Sequence, residues 1–261
     1  MVYKPEEVRQ LFDQIVEQED QLEKRPFLRN EIPREFIKKY LKPSDRVLDA
    51  GGGTGLNAIM MARLCQKVTL VDISPRMLTL AAANIEEAGL AGQIDLVEDD
   101  ITDLSRFGDG AFSFIVCVGG ALSHTLDANR RALQEMVRVA AKGAQLIIGC
   151  DSKYGLMRNF LGYDDDLLDE VEEMAASVEF LNNGQVRAHL YTVGEMRGLL
   201  EDAGCLTIEI ASTPVIINSL DEVKYHEAGR WEKLKALELK LCTVPELLGI
   251  GSHLLFVATK L

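Results

Sequence analysis

Several features that mark other protein classes are missing from this chain of 261 residues. Its five cysteines include no Cys-x-x-Cys pair, and most of them lie in apolar runs. We therefore expect reduced cysteines in a cytoplasmic protein, and we predict no metal site. No apolar run reaches the roughly 18 residues that a membrane helix needs. The N-terminal stretch MVYKPEEVRQ lacks the apolar segment of a signal peptide, so we expect neither a membrane span nor a cleaved leader.

Positive charge is also scarce. The sequence contains 28 Lys and Arg residues against 41 Asp and Glu residues, which gives a net charge of −13. Because no dense basic cluster occurs, we expect no binding to nucleic acid or to an anionic membrane surface. A small neutral or cationic ligand is more compatible with this balance. The composition favours no particular oligomeric state.

The chain alternates short apolar runs with helical patterns, which is typical of an α/β fold whose parallel sheet is covered on both faces. The predicted strands cover residues 46–50, 67–72, 94–98, 111–119, 144–151, 205–212 and 252–260. The first predicted helix begins at Pro5, and the next covers 33–41. Three more run from the glycine-rich loop to Cys65, from Pro75 to Gly89, and from the N-cap Asp127 to about 141. The remaining helices cover 153–181, 192–203 and 221–242. No repeat or low-complexity linker occurs, so we expect a single domain over residues 1–261.

Four glycines in five positions follow the first predicted strand, in VLDAGGGTGLNA (47–58). A glycine-rich turn between a strand and a helix directs backbone N–H groups towards a ligand beyond the carboxyl end of the sheet. Gly51 and Gly53 fit the start of the dinucleotide pattern G-x-G-x-x-G, but Leu56 occupies its last position. This difference disfavours a nicotinamide dehydrogenase. A tight turn without a ligand remains the alternative at this point.

Carboxylates lie at the ends of the first three predicted strands. Asp49 precedes the glycines, and Asp72 ends the second strand, near the spacing of about 20 residues at which an acidic residue meets a ribose. Asp99 and Asp100 follow the third strand, where a side chain can read the edge of an adenine. The alternatives are a solvated or helix-capping Asp72 and a solvated turn at Asp99 and Asp100. Taken together, the three features favour a nucleoside-binding site.

The segments VLDAGGGTG, VTLVDISPRML, LVEDDITDL and FIVCVGGALSH resemble the class I S-adenosylmethionine-dependent methyltransferases. The resemblance covers about residues 40–151 and extends more loosely through YTVGEMRGLLEDAGC (191–205). It implies a Rossmann-like, doubly wound, mostly parallel sheet of seven strands whose last strand is antiparallel, with helical insertions after strands five and six. It also implies methyl transfer to a small-molecule acceptor, with S-adenosyl-L-methionine as cofactor and S-adenosyl-L-homocysteine as product.

The resemblance assigns residues to each part of this cofactor. The residues that would surround or approach its methionine part are Asp49, Ala50, Gly51, Gly53, Val118 and Gly119. The residue that would hold the ribose is Asp72, and those that would flank or read the adenine are Ile73, Met77, Asp100 and Ile101.

Methyl transfer from a sulfonium mainly requires that a nucleophile is aligned behind the methyl carbon. A general base is needed only where the nucleophile starts protonated. His124 follows the fourth strand and is the candidate base; the alternative is a loop histidine that packs against the cofactor. His189 and His226 are further candidates for the acceptor pocket, whereas we expect a structural role for His253 and an N-capping role for Asp127.

Three segments outside the cofactor-binding core (42–151) are expected to cover the acceptor. They are an N-terminal helical cap (1–41) and insertions at 153–190 and 213–248. The apolar side chains that could form this cover are Phe12, Phe27, Tyr154, Met157, Phe160, Tyr163, Phe180 and Trp231. For each of them singly, packing onto the sheet is the alternative.

Other activities on the same fold receive less support from the sequence. The segment VGGALS after strand four differs from the Asn/Asp-Pro-Pro-aromatic motif of amide and adenine methyltransferases, and no Pro-Cys pair supports cytosine-C5 chemistry. Aminopropyl transferases carry additional acidic residues after strand four, where this chain has only Asp127. A regulatory module that binds the cofactor without catalysis remains an alternative.

Overall fold

The computed structural model describes residues 2–161, 167–182, 186–218 and 221–261. Within these ranges, seven strands form one sheet in the order β3-β2-β1-β4-β5-β9-β8, and two more form a separate hairpin. The strands of the sheet are β1 (Arg46–Ala50), β2 (Lys67–Asp72), β3 (Ile94–Glu98), β4 (Phe112–Cys117), β5 (Ala140–Asp151), β8 (Cys205–Thr213) and β9 (His253–Lys260). The hairpin consists of β6 (Glu179–Asn182) and β7 (Val186–His189).

The five strands from β3 to β5 in this order run parallel to one another. β9 lies between β5 and β8 and is antiparallel to both. This arrangement confirms the predicted mostly parallel, seven-stranded sheet with an antiparallel last strand. The carboxyl ends of β1 to β5 therefore meet at one rim of the sheet, where a ligand of an open α/β sheet is expected.

Helices cover both faces of the sheet, as near-continuous apolar strands require. The helices are α1 (Pro5–Gln14), α2 (Val16–Lys24), α3 (Leu28–Tyr40), α4 (Leu56–Ala62), α5 (Pro75–Glu87), α6 (Asn129–Val139), α7 (Lys153–Leu161), α8 (Leu168–Ala176), α9 (Val193–Asp202), α10 (Glu222–Glu227) and α11 (Trp231–Leu241). On one face, α6 and α9 pack against Ile115 and Cys117 of β4. On the other face, α3, α4, α5 and α11 pack against Phe114 and Val116 of the same strand.

Two helix starts lie where the sequence predicts them. The Ser74 hydroxyl accepts a hydrogen bond from the backbone N–H of Met77 at 3.0 Å, and Pro75 occupies the first turn of α5. Thr192 caps α9 in the same way by accepting from the Glu195 N–H at 3.2 Å. These caps satisfy N–H groups that have no partner inside the helix.

The segment after β4 differs from the prediction that Asp127 caps a helix. A short 3-10 helix spans Ser123–Ala128, and the residue that precedes α6 is Ala128, which makes no side-chain cap. The Asp127 carboxylate instead accepts a hydrogen bond from the backbone N–H of Tyr3 at 2.7 Å. A partner distant in sequence therefore replaces the local cap. β5 also begins earlier than predicted, because Ala140 already pairs with Phe112 of β4.

The outer segments differ more from the sequence prediction. The predicted helix over 221–242 is interrupted at Gly229, whose φ of +63° ends the first of two helices. The predicted helix over 153–181 is replaced by α7, α8 and the first strand of the hairpin, and residues 162–166, with Tyr163, lie outside the described residues. α3 begins at Leu28 and contains Pro33, because buried apolar residues precede the proline. No helix in the described ranges is long and apolar enough to cross a membrane.

Candidate functional site

A cleft of about 1080 Å³, open solvent at its mouth included, lies at the carboxyl rim of the parallel strands. The loops after β1, β2, β3 and β4 form its floor, and the N-terminal helical cap forms its roof. The predicted site residues that line it are Asp49, Gly51, Gly53, Asp72, Ile73, Met77, Asp100, Ile101, Val118, Gly119 and His124. Ala50 is fully buried in the core at the end of β1 and does not line the cleft.

The glycine-rich loop after β1 adopts a conformation that other residues reach only with strain. Gly51 and Gly53 have φ of +73° and +54°, a region that favours glycine because it has no Cβ. The N–H groups of Gly51 and Gly52 donate to the carbonyl oxygen of Val71 at 2.8 and 3.1 Å, which ties the loop to β2. A Cβ on Gly51 would lie 2.4 Å from the Cβ of Ala121. The loop thus requires glycine for both its turn and its close packing.

Asp72 connects the loops that follow β1 and β2. One carboxylate oxygen accepts from the Gly53 N–H and the other from the Ser74 N–H, each at 2.9 Å. Burial raises the pKa of this carboxyl, while the backbone hydrogen bonds oppose the shift. Ser74 caps α5, so Asp72 is not needed for that role. The structure therefore holds the Asp72 carboxylate in one orientation at the wall of the cleft.

Asp49 is almost fully buried at the base of the cleft, and its Oδ2 atom has no hydrogen-bond partner among the described residues. Burial raises its pKa to about 8, and the neighbouring charges of Glu23 and Asp72 add to the shift. A buried acceptor without a partner is costly. A donor supplied by a ligand would remove this cost.

The two adjacent carboxylates after β3 point to different partners. Asp99 forms an ion pair with the exposed Arg106 at 3.1 Å. Asp100 accepts from the Thr102 N–H at 2.8 Å and from the Tyr3 hydroxyl at 3.0 Å. Separate donors thus reduce the repulsion that the sequence alone suggests for this pair. The hydrogen bond from Tyr3 brings the N-terminal helical cap onto the third loop.

The N-terminal helical cap, which we expect to cover the acceptor, also contacts the glycine-rich loop, and the sequence gives no sign of these contacts. Glu23 of α2 accepts a hydrogen bond from the Thr54 hydroxyl at 2.6 Å. Arg34 of α3 donates to the Asn57 side chain at 3.0 Å. Arg29 also lines the cleft. No local sequence signal marks these residues, because they lie on polar helices whose position depends on tertiary packing.

His124 lies in the 3-10 helix after β4 and faces the cleft beneath the roof. Its ring makes an edge-on contact with Phe12 of α1, with ring centroids 5.2 Å apart. The Nδ1 atom is buried and has no partner among the described residues. Burial lowers the pKa of this imidazole, although the nearby Asp151 and a backbone hydrogen bond with Arg187 oppose the shift. A neutral histidine with a free ring nitrogen can accept a proton.

The other three histidines do not line the cleft. His189 is within 2.7 Å of the Glu195 carboxylate, and His226 stacks on Trp231 with centroids 4.0 Å apart. His253 pairs with Asp151 across β5 and β9 at 3.2 Å. Of the apolar side chains expected to cover an acceptor, Phe12 lines the cleft, whereas Trp231 is buried in the core and Tyr154 is exposed. The described residues contain no cluster suited to a metal ion.

The residues present fit the cofactor that the resemblance implies. A nucleoside with an amino-acid end offers hydroxyl, amine and ammonium donors, and the cleft offers the carboxylates of Asp49, Asp72 and Asp100 as acceptors. The unpartnered Asp49 Oδ2 lies 2.9 Å from where a Cβ on Gly52 would stand, so only glycine leaves the cradle open there. Fold and cleft together describe an α/β protein whose acidic rim suits a nucleoside ligand.

Comparison with known proteins finds similarity to methyltransferases. Residues 47–143 match a family described as methyltransferase domain. The demethylmenaquinone methyltransferase of Bacteroides fragilis is 33% identical over 153 residues, which cover 56% of this chain and 60% of that protein. The Burkholderia thailandensis 1,6-didemethyltoxoflavin-N1-methyltransferase, solved with bound S-adenosylhomocysteine, has a similar fold (TM-score 0.64, 17% identity, covering 100% of this chain and 92% of that one).

A putative methyltransferase in complex with the Haloferax volcanii Trm112 activator also shares the fold, with a TM-score of 0.65 at 18% identity, and the match covers 97% of this chain and 96% of that one. The chain is thus similar to a methyltransferase domain over residues 47–143, and it shares the fold of these solved methyltransferases. It spans 60% of the length of the first curated relative that it matches.

Proposed function

We propose that this protein binds S-adenosyl-L-methionine and transfers its methyl group to a small organic acceptor. The observation that carries the proposal is the convergence of Asp49, Asp72 and Asp100, from three successive strand ends, on one cleft. Relatives named for demethylmenaquinone and ubiquinone or menaquinone methylation support a small-molecule acceptor. The net charge of −13 supports a small ligand over nucleic acid.

The cofactor would supply an activated methyl group on a sulfonium, and the thioether S-adenosylhomocysteine would be the product that remains. The contribution of the chain is to hold the two reactants in register and to keep water out. Asp72 is fixed by two backbone donors and would hold the ribose hydroxyls, while Asp100 would accept from the adenine amine. Phe12 and Val8 of α1 lie over the cleft and would exclude water from it.

His124 would serve as a general base where the acceptor is a hydroxyl, a thiol or a protonated amine. Its unpartnered Nδ1 would take the proton that the acceptor loses. The lowered pKa keeps the imidazole neutral near pH 7, which is the form that can accept a proton. The insertions over 153–190 and 213–248 are proposed to complete the acceptor pocket, and a cytoplasmic location stays a prediction.

The first experiment is calorimetric titration of the protein with S-adenosylhomocysteine and S-adenosylmethionine. We expect both to bind, and we expect Asp72→Ala to weaken binding at least tenfold, because a charge-assisted hydrogen bond contributes about 1.5–3 kcal/mol. The exposed variant Asp95→Ala, on the neighbouring β3, is the control. Absence of binding to the unaltered protein at millimolar ligand would contradict the proposal.

A second experiment separates catalysis from binding. The protein is incubated with methyl-labelled S-adenosylmethionine and a metabolite extract, and labelled products are separated by chromatography. We expect label in a small organic product. Binding without any labelled product would instead favour the regulatory module. Release of methylthioadenosine when decarboxylated S-adenosylmethionine is supplied as the donor would favour aminopropyl transfer.

A further inference from the structure

The residues that the proposed function places around the reactants are almost inaccessible to solvent. Asp49, Asp72 and His124 line the cleft, yet they are only 1%, 8% and 5% exposed. Part of the roof above them is α1 with the short arm that precedes it, which lines the cleft with Tyr3 and Phe12. A ligand as large as a nucleoside with an amino-acid end therefore needs this part of the roof to move before it can enter.

Tyr3 fastens the arm before α1 to two sides of the cleft. Its hydroxyl donates to Oδ2 of Asp100, after β3, at 3.0 Å, and its backbone N–H donates to Oδ1 of Asp127, after β4, at 2.7 Å. In the sheet, β2 and β1 lie between these two strands. Burial and the neighbouring Asp100 raise the pKa of the Tyr3 hydroxyl, so it stays protonated and remains a donor at neutral pH. The ion pair of Arg9 with Glu98, at 3.3 Å, lies at the surface and contributes little.

Little apolar surface holds α1 on the rest of the protein. Val8 and Leu11 are its buried residues, and they form a small cluster that is separate from the two cores that flank the sheet. The partly buried side chains packed against these two come from residues 3–15, with the exception of Ile73 in the loop after β2. The ring contact between Phe12 and His124 adds to this attachment. Because neither core includes a residue of α1, this helix can lift without opening either of them.

The opposite end of α1 is anchored to the body of the protein. The Asp13 carboxylate, in the last turn, accepts from the Ser74 hydroxyl at 2.5 Å. Ile15 follows, and its φ of −104° and ψ of 13° interrupt the helix before α2 begins. α2 is held in place by Glu23, whose carboxylate accepts from the Thr54 hydroxyl at 2.6 Å. A rotation about Ile15 would therefore lift the N-terminal end of α1 while α2 stays in place.

We propose that residues 2–14 form a lid over the cofactor that turns about Ile15, and that the two hydrogen bonds of Tyr3 are the latch that holds it shut. This inference rests on the proposed function. The lid opens to admit the cofactor, closes above it and opens again to release the product. A carboxylate offers about four acceptor positions, so Asp100 can accept from Tyr3 and from an adenine amine together. Because the latch is closed both before and after the ligand binds, it sets the rates of exchange and leaves the affinity unchanged.

The substitution Tyr3→Phe tests the latch, because it removes the hydroxyl and keeps the ring. Surface plasmon resonance with S-adenosylhomocysteine gives kon, koff and Kd. We expect both rate constants to rise by the same factor, about tenfold, as the loss of a hydrogen bond to a charged acceptor implies, and we expect Kd to stay within about twofold. Asp127→Ala removes the second bond of the latch, and its smaller effect should have the same direction because this bond is exposed.

Hydrogen exchange followed by mass spectrometry tests the lid without any ligand. A helix of ten residues such as α1 is not stable in water by itself, so its amides exchange when the lid lifts. We expect the amides of α1 to exchange about tenfold faster in Tyr3→Phe than in the unaltered protein. Those of β1 and β4, which lie in the main cores, should exchange equally in both proteins.

Matched controls separate the latch from a general loss of stability. Tyr154→Phe removes an exposed hydroxyl, and Asp95→Ala removes an exposed carboxylate. We expect both controls to leave the two rate constants and the exchange of α1 unchanged. Thermal unfolding followed by circular dichroism verifies that each variant is folded.

Three results would overturn the inference. Unchanged rate constants in Tyr3→Phe, or α1 amides that exchange equally in both proteins, would mean that Tyr3 latches no lid. A weaker Kd that results from koff alone would mean that Tyr3 contacts the ligand directly. Failure of the unaltered protein to bind S-adenosylhomocysteine would instead contradict the proposed function, and the exchange measurement would still decide whether α1 opens.

Discussion

At the scale of single residues, the polar atoms of the cleft fall into two groups. Asp72 and Asp100 already have donors from the chain, which fix their orientation. Asp49 Oδ2 and His124 Nδ1 are buried and have none among the described residues. Since buried polar atoms normally find partners, the second group marks where ligand atoms are expected. Asp49 lies just before the glycine-rich loop, and His124 lies in the 3-10 helix that follows β4.

The role of His124 can be tested by the substitution His124→Asn, which keeps a polar side chain but removes the basic nitrogen. We expect kcat for the product found in the labelling experiment to fall about 100-fold, as removal of a general base typically does. The Kd for S-adenosylhomocysteine should stay within about twofold, because that ligand carries no acceptor. In the unaltered enzyme, the loss of kcat on acidification should lie below pH 6.5, since the His124 pKa is lowered from that value. An unchanged kcat would assign His124 to packing against Phe12.

At the scale of elements, the glycine-rich loop is the segment where backbone conformation and close packing both require glycine. Gly51 combines a φ of +73° with a Cβ position 2.4 Å from the Ala121 side chain. We expect Gly51→Ala to lower the free energy of unfolding by about 1–3 kcal/mol and to weaken binding of S-adenosylhomocysteine. Gly92→Ala is the matched control, because nothing lies within 4 Å of its Cβ position, and it should change stability by less than about 0.5 kcal/mol. Urea denaturation measures both; equal effects would contradict a special role for the loop.

The elements also show which features a sequence can predict. The strands of the sheet, the cap Ser74 and the start of the helix near Thr192 depend on periodicity and on neighbours a few residues away, so their positions are predicted correctly. The assignment of Asp127 as an N-cap was wrong: Ala128 precedes α6, and the Asp127 carboxylate accepts from the Tyr3 N–H, 124 residues distant. The hairpin of β6 and β7 was missed, since the acidic residues around it read as a continuation of a helix.

The candidate site likewise contains residues whose position the sequence predicts and residues whose position depends on tertiary packing. Asp49, Asp72 and Asp100 each follow a strand directly, and a parallel sheet brings such ends together. Their roles towards a cofactor stay predictions, but their common cleft follows from the chain order. Glu23 and Arg29 reach that cleft from helices whose packing position no local pattern encodes. The floor of the cleft can therefore be predicted from the sequence, whereas the charged part of its roof cannot.

At the scale of the whole molecule, the buried carboxyl groups of the cleft make the free energy of unfolding depend on pH. Burial raises the pKa of Glu23 to about 7 and of Asp49 to about 8, whereas both ionise near pH 4 in the unfolded chain. A carboxyl with a raised folded pKa stabilises the fold fully below its unfolded pKa, and this contribution is lost as pH rises through the folded pKa. Binding of a cationic ligand should restore stability above pH 7, where the carboxylates are charged.

The difference between the unaltered protein and Glu23→Gln isolates this effect from His124, whose lowered pKa acts in the opposite direction. Glutamine mimics the protonated carboxyl, so the two proteins should have nearly equal free energies of unfolding at pH 4, which lies below the ordinary pKa of a glutamate. At pH 8.5, where Glu23 is ionised in both states, the variant should be more stable by about 1–3 kcal/mol. Urea denaturation without ligand at the two pH values measures the difference, and Glu17→Gln, whose carboxylate is exposed, should show no such change. A variant that is less stable than the unaltered protein at pH 8.5 would mean that the Thr54 hydrogen bond outweighs the burial of the charge.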